Sequence, residues 1–366
     1  MKYIKLKNIC RIRTGKLDAN AEDINGKYPF FTCAKEPLRI NTFAYDCNCI
    51  LLGGNGEFNI NIYNGKFNAY QRTYIIESID ENKYLLKYLF YILKNKIYYF
   101  KNISSGVVIK FIKIGDIENI NIPNISVEIQ KKIVSELDYL NELVEKNNVE
   151  IVNFEELIKS RFIEMFNNNY QMVKTQDICE YITKGTTPPF GEIKENYTYN
   201  SVPYLKVYNL SFDGKLLFDE KPQFISNKIH NGILSRSKVY PNDVLMNIVG
   251  PPLGKFSIVT DDYKEWNINQ AICIFRAKDK VYPKYLLRAL MHPSVLEPII
   301  KNAVGVRQLN ISLEQCRNLE IPLPPLDVQK RFSNFIELID KLKFIAQKRI
   351  DLYTELLNKK MDEYFN

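Results

Sequence analysis

The chain has 366 residues, 46% of them hydrophobic and 25% charged, which leaves room for two globular domains and is too polar for a membrane protein. No apolar run reaches the length of a spanning helix and Met1-Lys2-Tyr3-Ile4-Lys5 lacks the apolar stretch of a secretion signal, so a soluble cytoplasmic protein is expected. Fifty Lys and Arg against forty-two Asp and Glu leave a net charge of +8, which favours a polyanionic partner. Seven cysteines, of which only Cys47 and Cys49 lie close together, make neither a disulfide framework nor a four-ligand zinc site. Two histidines, His230 and His292, leave little material for acid-base chemistry or metal ligation, and no metal is expected.

Along the chain, residues 1–122 hold short β-rich runs such as Thr73-Tyr74-Ile75-Ile76, punctuated by turn clusters such as Gly53-Gly54-Asn55-Gly56, and read as a compact α+β domain. Gly and Pro then vanish from about 126 to 166, within a segment bounded at 123–169. There an apolar seam runs Ile133, Leu137, Leu140, Val144, Asn147, Ile151, Phe154, Ile158, in the alternating steps of four and three of a coiled-coil helix. Asn147 on the seam is expected to fix register at some cost in stability. A second α+β domain follows over 170–322, with Ala271-Ile272-Cys273-Ile274-Phe275 as a strand-like run. A second helical segment, 323–366, carries the seam Phe332, Ile336, Ile339, Lys343, Ala346, Ile350, Tyr353, Leu357. Both helices open after prolines, Pro123 and Pro324-Pro325. Forty residues make each roughly 60 Å long. Taken singly, either stripe fits a surface helix packed on its own domain, whereas seams at matching positions favour helices that pack on each other.

The matching is a duplication. Asn121-Ile122-Pro123 and Ile129-Gln130-Lys131-Lys132 fall on Glu320-Ile321-Pro322 and Val328-Gln329-Lys330-Arg331 at an offset of 199 residues. The same offset places Gly106-Val107 on Gly305-Val306 and Phe67-Asn68-Ala69-Tyr70-Gln71 on Trp266-Asn267-Ile268-Asn269-Gln270. Lys83-Tyr84-Leu85-Leu86-Lys87 resembles Lys284-Tyr285-Leu286-Leu287-Arg288 with a slip of two. Near the start, Lys5 and Ile9-Cys10 correspond to Lys174 and Ile178-Cys179, so about thirty extra residues lie in the second copy before Trp266.

Catalytic motifs fail on inspection. Thr187-Pro188-Pro189-Phe190 resembles the Asp/Asn-Pro-Pro-Tyr/Phe loop of amino-group DNA methyltransferases, but threonine is a poor acceptor for the target amine and no glycine-rich cofactor turn accompanies it. It reads as a proline-stiffened loop. Gly250-Pro251-Pro252-Leu253-Gly254-Lys255-Phe256 misses the glycine spacing of a phosphate loop and the Ser or Thr after its lysine.

Polar residues cluster instead. Arg13, Lys16, Asn68, Gln71, Arg72 and Lys110 in the first copy, and Lys184, Thr186, Lys206, Asn247, Lys255, Asn269, Gln270, Arg307 and Asn310 in the second, are candidate DNA contacts. Asn and Gln can pair with adenine, Arg and Lys with guanine, and further cations with phosphate. Any one of them is also an ordinary solvated residue, and Gln71 or Gln270 could equally be a buried amide stitching a strand to a loop.

The run over 122–133, Ile-Pro-Asn-Ile-Ser-Val-Glu-Ile-Gln-Lys-Lys-Ile, and its partner over 321–332, Ile-Pro-Leu-Pro-Pro-Leu-Asp-Val-Gln-Lys-Arg-Phe, resemble the DNA-specificity subunits of type I restriction-modification systems. So do Gly15-Lys16 with Tyr28-Pro29-Phe30-Phe31, and Gly185-Thr186-Thr187-Pro188 with Val202-Pro203-Tyr204, at the openings of that family's target recognition domains. The resemblance implies an α+β fold with two recognition domains set apart by an antiparallel pair of coiled-coil helices, an internal pseudo-two-fold. It implies a non-catalytic, sequence-specific DNA-binding subunit that reads a bipartite target, asymmetric here because 170–265 match 1–66 poorly. Its partners would be double-stranded DNA, two adenine-N6 methyltransferase subunits and, for restriction, a motor-nuclease. It would hold no cofactor itself, with S-adenosylmethionine and ATP on the partners. Apolar residues off the seams, Leu143, Leu157, Ile163, Phe335 and Leu338, are the expected docking contacts. The alternatives are a recognition subunit of a modification-only or type II-like system, or a protein-binding scaffold.

Overall fold

The computed structural model describes residues 2–106, 110–166, 170–305 and 309–365. It divides into two compact units: residues 1–150 with 345–366, and residues 151–344. The division falls inside both long helices, so each unit combines one α+β head with half of each helix.

In the first unit six strands form one sheet, in the order Cys10–Thr14, Thr73–Ser78, Tyr45–Gly53, Ile60–Ala69, Tyr28–Phe31, Leu38–Ile40. All neighbours are antiparallel except Tyr28–Phe31, which runs parallel to Ile60–Ala69 with Phe30 opposite Asn68. Helix α1 (Leu86–Asn95) turns Tyr88, Leu89, Ile92 and Leu93 into the core. In the second unit the same scheme is split. Where the first copy has the single strand Ile60–Ala69, the second has Phe256–Ile258 and Trp266–Ile268, so one sheet becomes two of four strands. The parallel pairing survives, with Tyr204 opposite Asn267. The strand Phe224–Ser226 repeats Leu38–Ile40 as the antiparallel partner of the parallel-paired strand, and the extra residues of this copy include the short helix Asn227–Asn231 and the strand Lys238–Val239.

The long helices are α2 (Val127–Phe166) and, after the second head, α4 (Leu326–Phe365). In the first unit Ile133, Leu137 and Leu140 of α2 share a core with Leu357, Met361 and Phe365 of α4. Glu136 meets Lys360 at 3.1 Å and accepts the Tyr364 hydroxyl, and Glu150 meets Arg349 at 3.8 Å, so the pair is antiparallel. In the second unit Ile158, Phe162 and Phe166 pack with Phe332, Ile336 and Ile339, again antiparallel: Lys343 pairs with Glu155, and the Phe162 and Phe332 rings lie 5.6 Å apart. Every seam position is buried or half-buried. Asn147 is buried, donates to the Leu143 carbonyl at 2.7 Å and leaves its Oδ1 without a partner, a polar cost consistent with a register role.

The glutamine of each Gln-Lys pair locks the long helix to its head. Gln130 Oε1 accepts the Leu85 N–H at 2.9 Å at the start of α1, while its Nε2 donates to the carbonyls of Lys83 and Ile125 at 2.9 and 3.1 Å. Gln329 repeats this with the Tyr282 N–H and the carbonyls of Lys280 and Pro324, at the start of α3 (Pro283–Met291). Both side chains are fully buried. The Tyr88 hydroxyl donates to the Pro123 carbonyl as Tyr285 does to Pro322, and Lys87 pairs with Asp138 as Lys284 does with Glu337. These contacts correct the sequence alignment here. The equivalent residues are Lys87-Tyr88-Leu89 and Lys284-Tyr285-Leu286, not Lys83-Tyr84-Leu85, because hydrogen-bonding position rather than local identity fixes the match.

Candidate nucleic-acid interface

The opening loop of each head lies against the turn that ends its parallel-paired strand. Gly15 N–H donates to the Thr73 carbonyl at 3.0 Å and Lys16 N–H to Ala69 at 3.2 Å, while Gln71 N–H returns to Leu17 at 2.8 Å. In the second unit Gly185 donates to Ile272 at 3.0 Å and Thr186 to Ile268 at 3.3 Å. A Cβ on Gly15 would lie 2.2 Å from the Ala69 carbonyl oxygen, and one on Gly185 2.1 Å from that of Asn269, so only glycine permits the approach. Two further segments join through the backbone. Gly54 N–H donates to Arg72, Ile112 N–H to Gly54 and Gly56 N–H to Lys110, at 2.7 to 3.1 Å. The second copy repeats the first two bonds as Ile248 to Ala271 and Ile311 to Ile248, at 2.8 and 2.9 Å.

Each head therefore gathers four loop segments at one place. In the first unit they carry Lys16, Gln71, Arg72 and Lys110, all exposed. Gln71 Nε2 donates to Asp18 at 2.9 Å, which holds the amide on the surface rather than in the interior. In the second unit they carry Lys184, Gln270 and Asn310, exposed, with Thr186, Lys206, Lys255 and Asn269 half-buried. Lys206 adjoins Leu205, whose carbonyl accepts the Asn269 N–H at 3.0 Å, and the Lys255 ammonium sits over the Phe212 ring at 5.6 Å.

Three predicted contacts do not belong to this surface. Asn68 is buried, and its Oδ1 accepts the N–H of Ala69 at 3.1 Å. Asn247 is fully buried; it accepts the Lys255 N–H at 2.7 Å and donates to the Pro252 carbonyl at 2.8 Å, so it shapes the loop from within. Arg13 is half-buried, paired with Glu77 at 2.9 Å above the Tyr45 ring, and is used inside its own head. Arg307 lies outside the described residues. Among the predicted docking residues, Leu157, Ile163 and Leu338 are exposed, whereas Leu143 is half-buried and Phe335 packs partly into the second unit's core. The sequence reading missed the exposed Tyr139, Val149, Leu352 and Leu356 on the same helices.

Among the described residues no three His, Cys, Asp or Glu side chains group as metal ligands. No described helix is long and apolar enough to cross a membrane.

A family model of the type I restriction modification DNA specificity domain matches residues 1–153 and 167–353, one match per copy of the repeat. The chain belongs to this family. The domain the family describes is one of DNA specificity, not a catalytic one. The specificity subunit of the type I restriction enzyme EcoDI of Escherichia coli is 37% identical over 200 residues, covering 53% of this chain and 43% of that relative. The chain thus spans under half of that subunit in the match. The MjaVIII specificity subunit of Methanocaldococcus jannaschii is 26% identical over 363 residues, 89% of this chain and 82% of the relative. The fold matches the crystal structure of a type I restriction-modification S subunit from M. genitalium, with a TM-score of 0.57 at 15% identity, over 100% of this chain and 96% of that one. It also matches a chain from a structural study of assembly and conformational transition in the type I R-M system, with a TM-score of 0.62 at 16% identity, over 100% and 97%.

Proposed function

We propose that the chain reads an asymmetric, bipartite duplex DNA target, one half with each loop cluster, and docks two adenine-N6 methyltransferase subunits that perform the chemistry. The observation that carries this reading is that the two heads repeat one backbone arrangement of four loop segments, share the glutamine Gln71 or Gln270, and otherwise hang different side chains on it. Lys16, Gln71, Arg72 and Lys110 stand on one copy, and Lys184, Thr186, Gln270 and Asn310 on the other. A shared scaffold with different donors and acceptors is how two unlike half-sites are read. The docking surface in this reading is the outer apolar face of the helices: Tyr139, Val149, Leu352 and Leu356 in the first unit, and Leu157, Ile163 and Leu338 in the second. The chain binds no cofactor of its own, and S-adenosylmethionine and ATP act on the partner subunits.

The test is to express the chain with its modification subunit and map N6-methyladenine genome-wide by single-molecule sequencing. One split motif with an unspecified central gap and unlike halves is the expected result. Methylation without such a motif, or a stable complex that methylates nothing, overturns the reading. Lys16→Ala and Arg72→Ala should each weaken DNA binding and lower the salt slope by about one if they contact phosphate, or relax one base position with little change of slope if they contact a base.

A further inference from the structure

The Thr187-Pro188-Pro189-Phe190 segment, stripped of methyltransferase chemistry, occupies a telling place in the second unit. Thr186 before it is held three ways: its N–H on Ile268, its carbonyl by the Tyr204 hydroxyl at 3.0 Å, and its Oγ1 by Arg236 Nε at 3.1 Å. Pro188 is buried. The Glu192 N–H then closes a β-turn on the Pro189 carbonyl at 3.3 Å, with Gly191 at φ +83°, the left-handed position that such a turn gives to glycine. Phe190 stands at the apex of this turn with its ring fully exposed. An apolar ring on an anchored, proline-stiffened turn gains nothing for folding, since it buries no area, and loses little freedom when something covers it. The corresponding loop of the first unit turns at 18–21, with the Ala21 N–H on the Asp18 carbonyl at 3.2 Å, and its tip carries Ala19 and Asn20.

We propose that Phe190 is an apolar wedge that presses against a base step of the half-site read by the second unit, partly unstacking that step and bending that half-site alone. The inference rests on the DNA-specificity reading above. A ring offers no hydrogen bond, so it selects by deformability, and a pyrimidine-purine step is the one that opens most cheaply. The wedge therefore adds specificity at a position that no polar side chain touches, and the first unit, lacking an aromatic tip, leaves its half-site straight.

The experiment uses the chain assembled with its modification subunit, on duplexes carrying the target found by methylation mapping, with 2-aminopurine placed at successive steps of each half-site. The wild-type complex should raise the fluorescence several-fold at one step of one half-site. Phe190→Ala should abolish that rise and weaken binding about tenfold, while Phe190→Leu keeps part of both. Tyr199→Ala is the control. It removes an equally exposed aromatic, at a turn before the far end of the Ser201–Leu205 strand, and should change neither. Wild-type binding with no change in Phe190→Ala overturns the wedge alone. So does a Phe190→Ala variant that assembles poorly with the modification subunit yet keeps the fluorescence signal, since the ring would then be a protein contact. A wild-type complex without site-specific binding overturns the specificity reading itself.

Discussion

An asparagine near the end of a strand can read adenine or tie off its own backbone, and residue type does not distinguish the two. Asn68 and its repeat partner Asn267 both tie: each accepts the N–H of the next residue, at 3.1 and 3.0 Å. Asn267 also donates to the Leu234 carbonyl and to Nδ1 of His230. That bond fixes the histidine tautomer, so Nε2–H donates to Glu265 at 2.8 Å. Burial pushes the His230 pKa below its ordinary value of 6.5, with the Glu265 carboxylate opposing the shift, and burial lowers His292 likewise. Above pH 6.5 both rings are neutral folded and unfolded, and their contribution is fully present. As pH falls through 6.5 the unfolded chain takes up protons that the folded chain refuses, so stability declines, at most by about 1.4 kcal/mol per pH unit for each histidine. Denaturant unfolding at pH 7.5, 6.5 and 5.5 should show the decline, and His230→Gln should flatten it even though it lowers stability at every pH. A slope unchanged by that substitution would assign the effect elsewhere.

At the scale of elements, the repeated glutamine matters more than the lysine beside it. Lys131 and Lys330 are exposed, whereas Gln130 and Gln329 each make three hydrogen bonds in the interior and fasten a long helix to the first turn of α1 or α3. Alanine would leave a buried amide N–H and two carbonyls unpaired, so Gln130→Ala and Gln329→Ala should each cost about 3 kcal/mol, read as a shift in the unfolding midpoint. Lys131→Ala and Lys330→Ala should stay within about 0.5 kcal/mol. The signature was legible as a repeated string. Its meaning was not, because the partners lie 45 to 50 residues away along the chain. The strand Ile60–Ala69 and its broken counterpart were illegible for a related reason: whether an apolar alternation continues or kinks is decided by neighbouring strands.

At the scale of the whole molecule, the last turns of α4 complete the first unit. Leu357, Met361 and Phe365 are buried with Ile133, Leu137 and Tyr88, and the Tyr364 hydroxyl bonds Glu136. Deleting residues 357–366 should therefore damage the amino-terminal head rather than the nearer one. Hydrogen exchange should accelerate across Tyr45–Gly53 and Thr73–Ser78 while Ile272–Ala277 keeps its protection. Loss of protection in Ile272–Ala277 instead would refute this assignment of the core.

The sequence by itself determined the duplication, the two seam-bearing helices, the family and the absence of a recognisable catalytic motif, because these are patterns of identity and period that survive in one dimension. It also placed polar residues near strand ends in both copies. Only the tertiary structure decided which of them reach the surface. Lys16, Gln71, Arg72, Lys110, Lys184, Gln270 and Asn310 do, while Arg13, Asn68 and Asn247 are spent on an ion pair or on backbone inside their own heads. The physical reason is that a buried polar group must be satisfied by whatever the fold brings beside it, and those neighbours are distant in sequence. The same holds for Phe190, whose exposure follows from an anchored loop and a glycine turn rather than from any pattern in the chain.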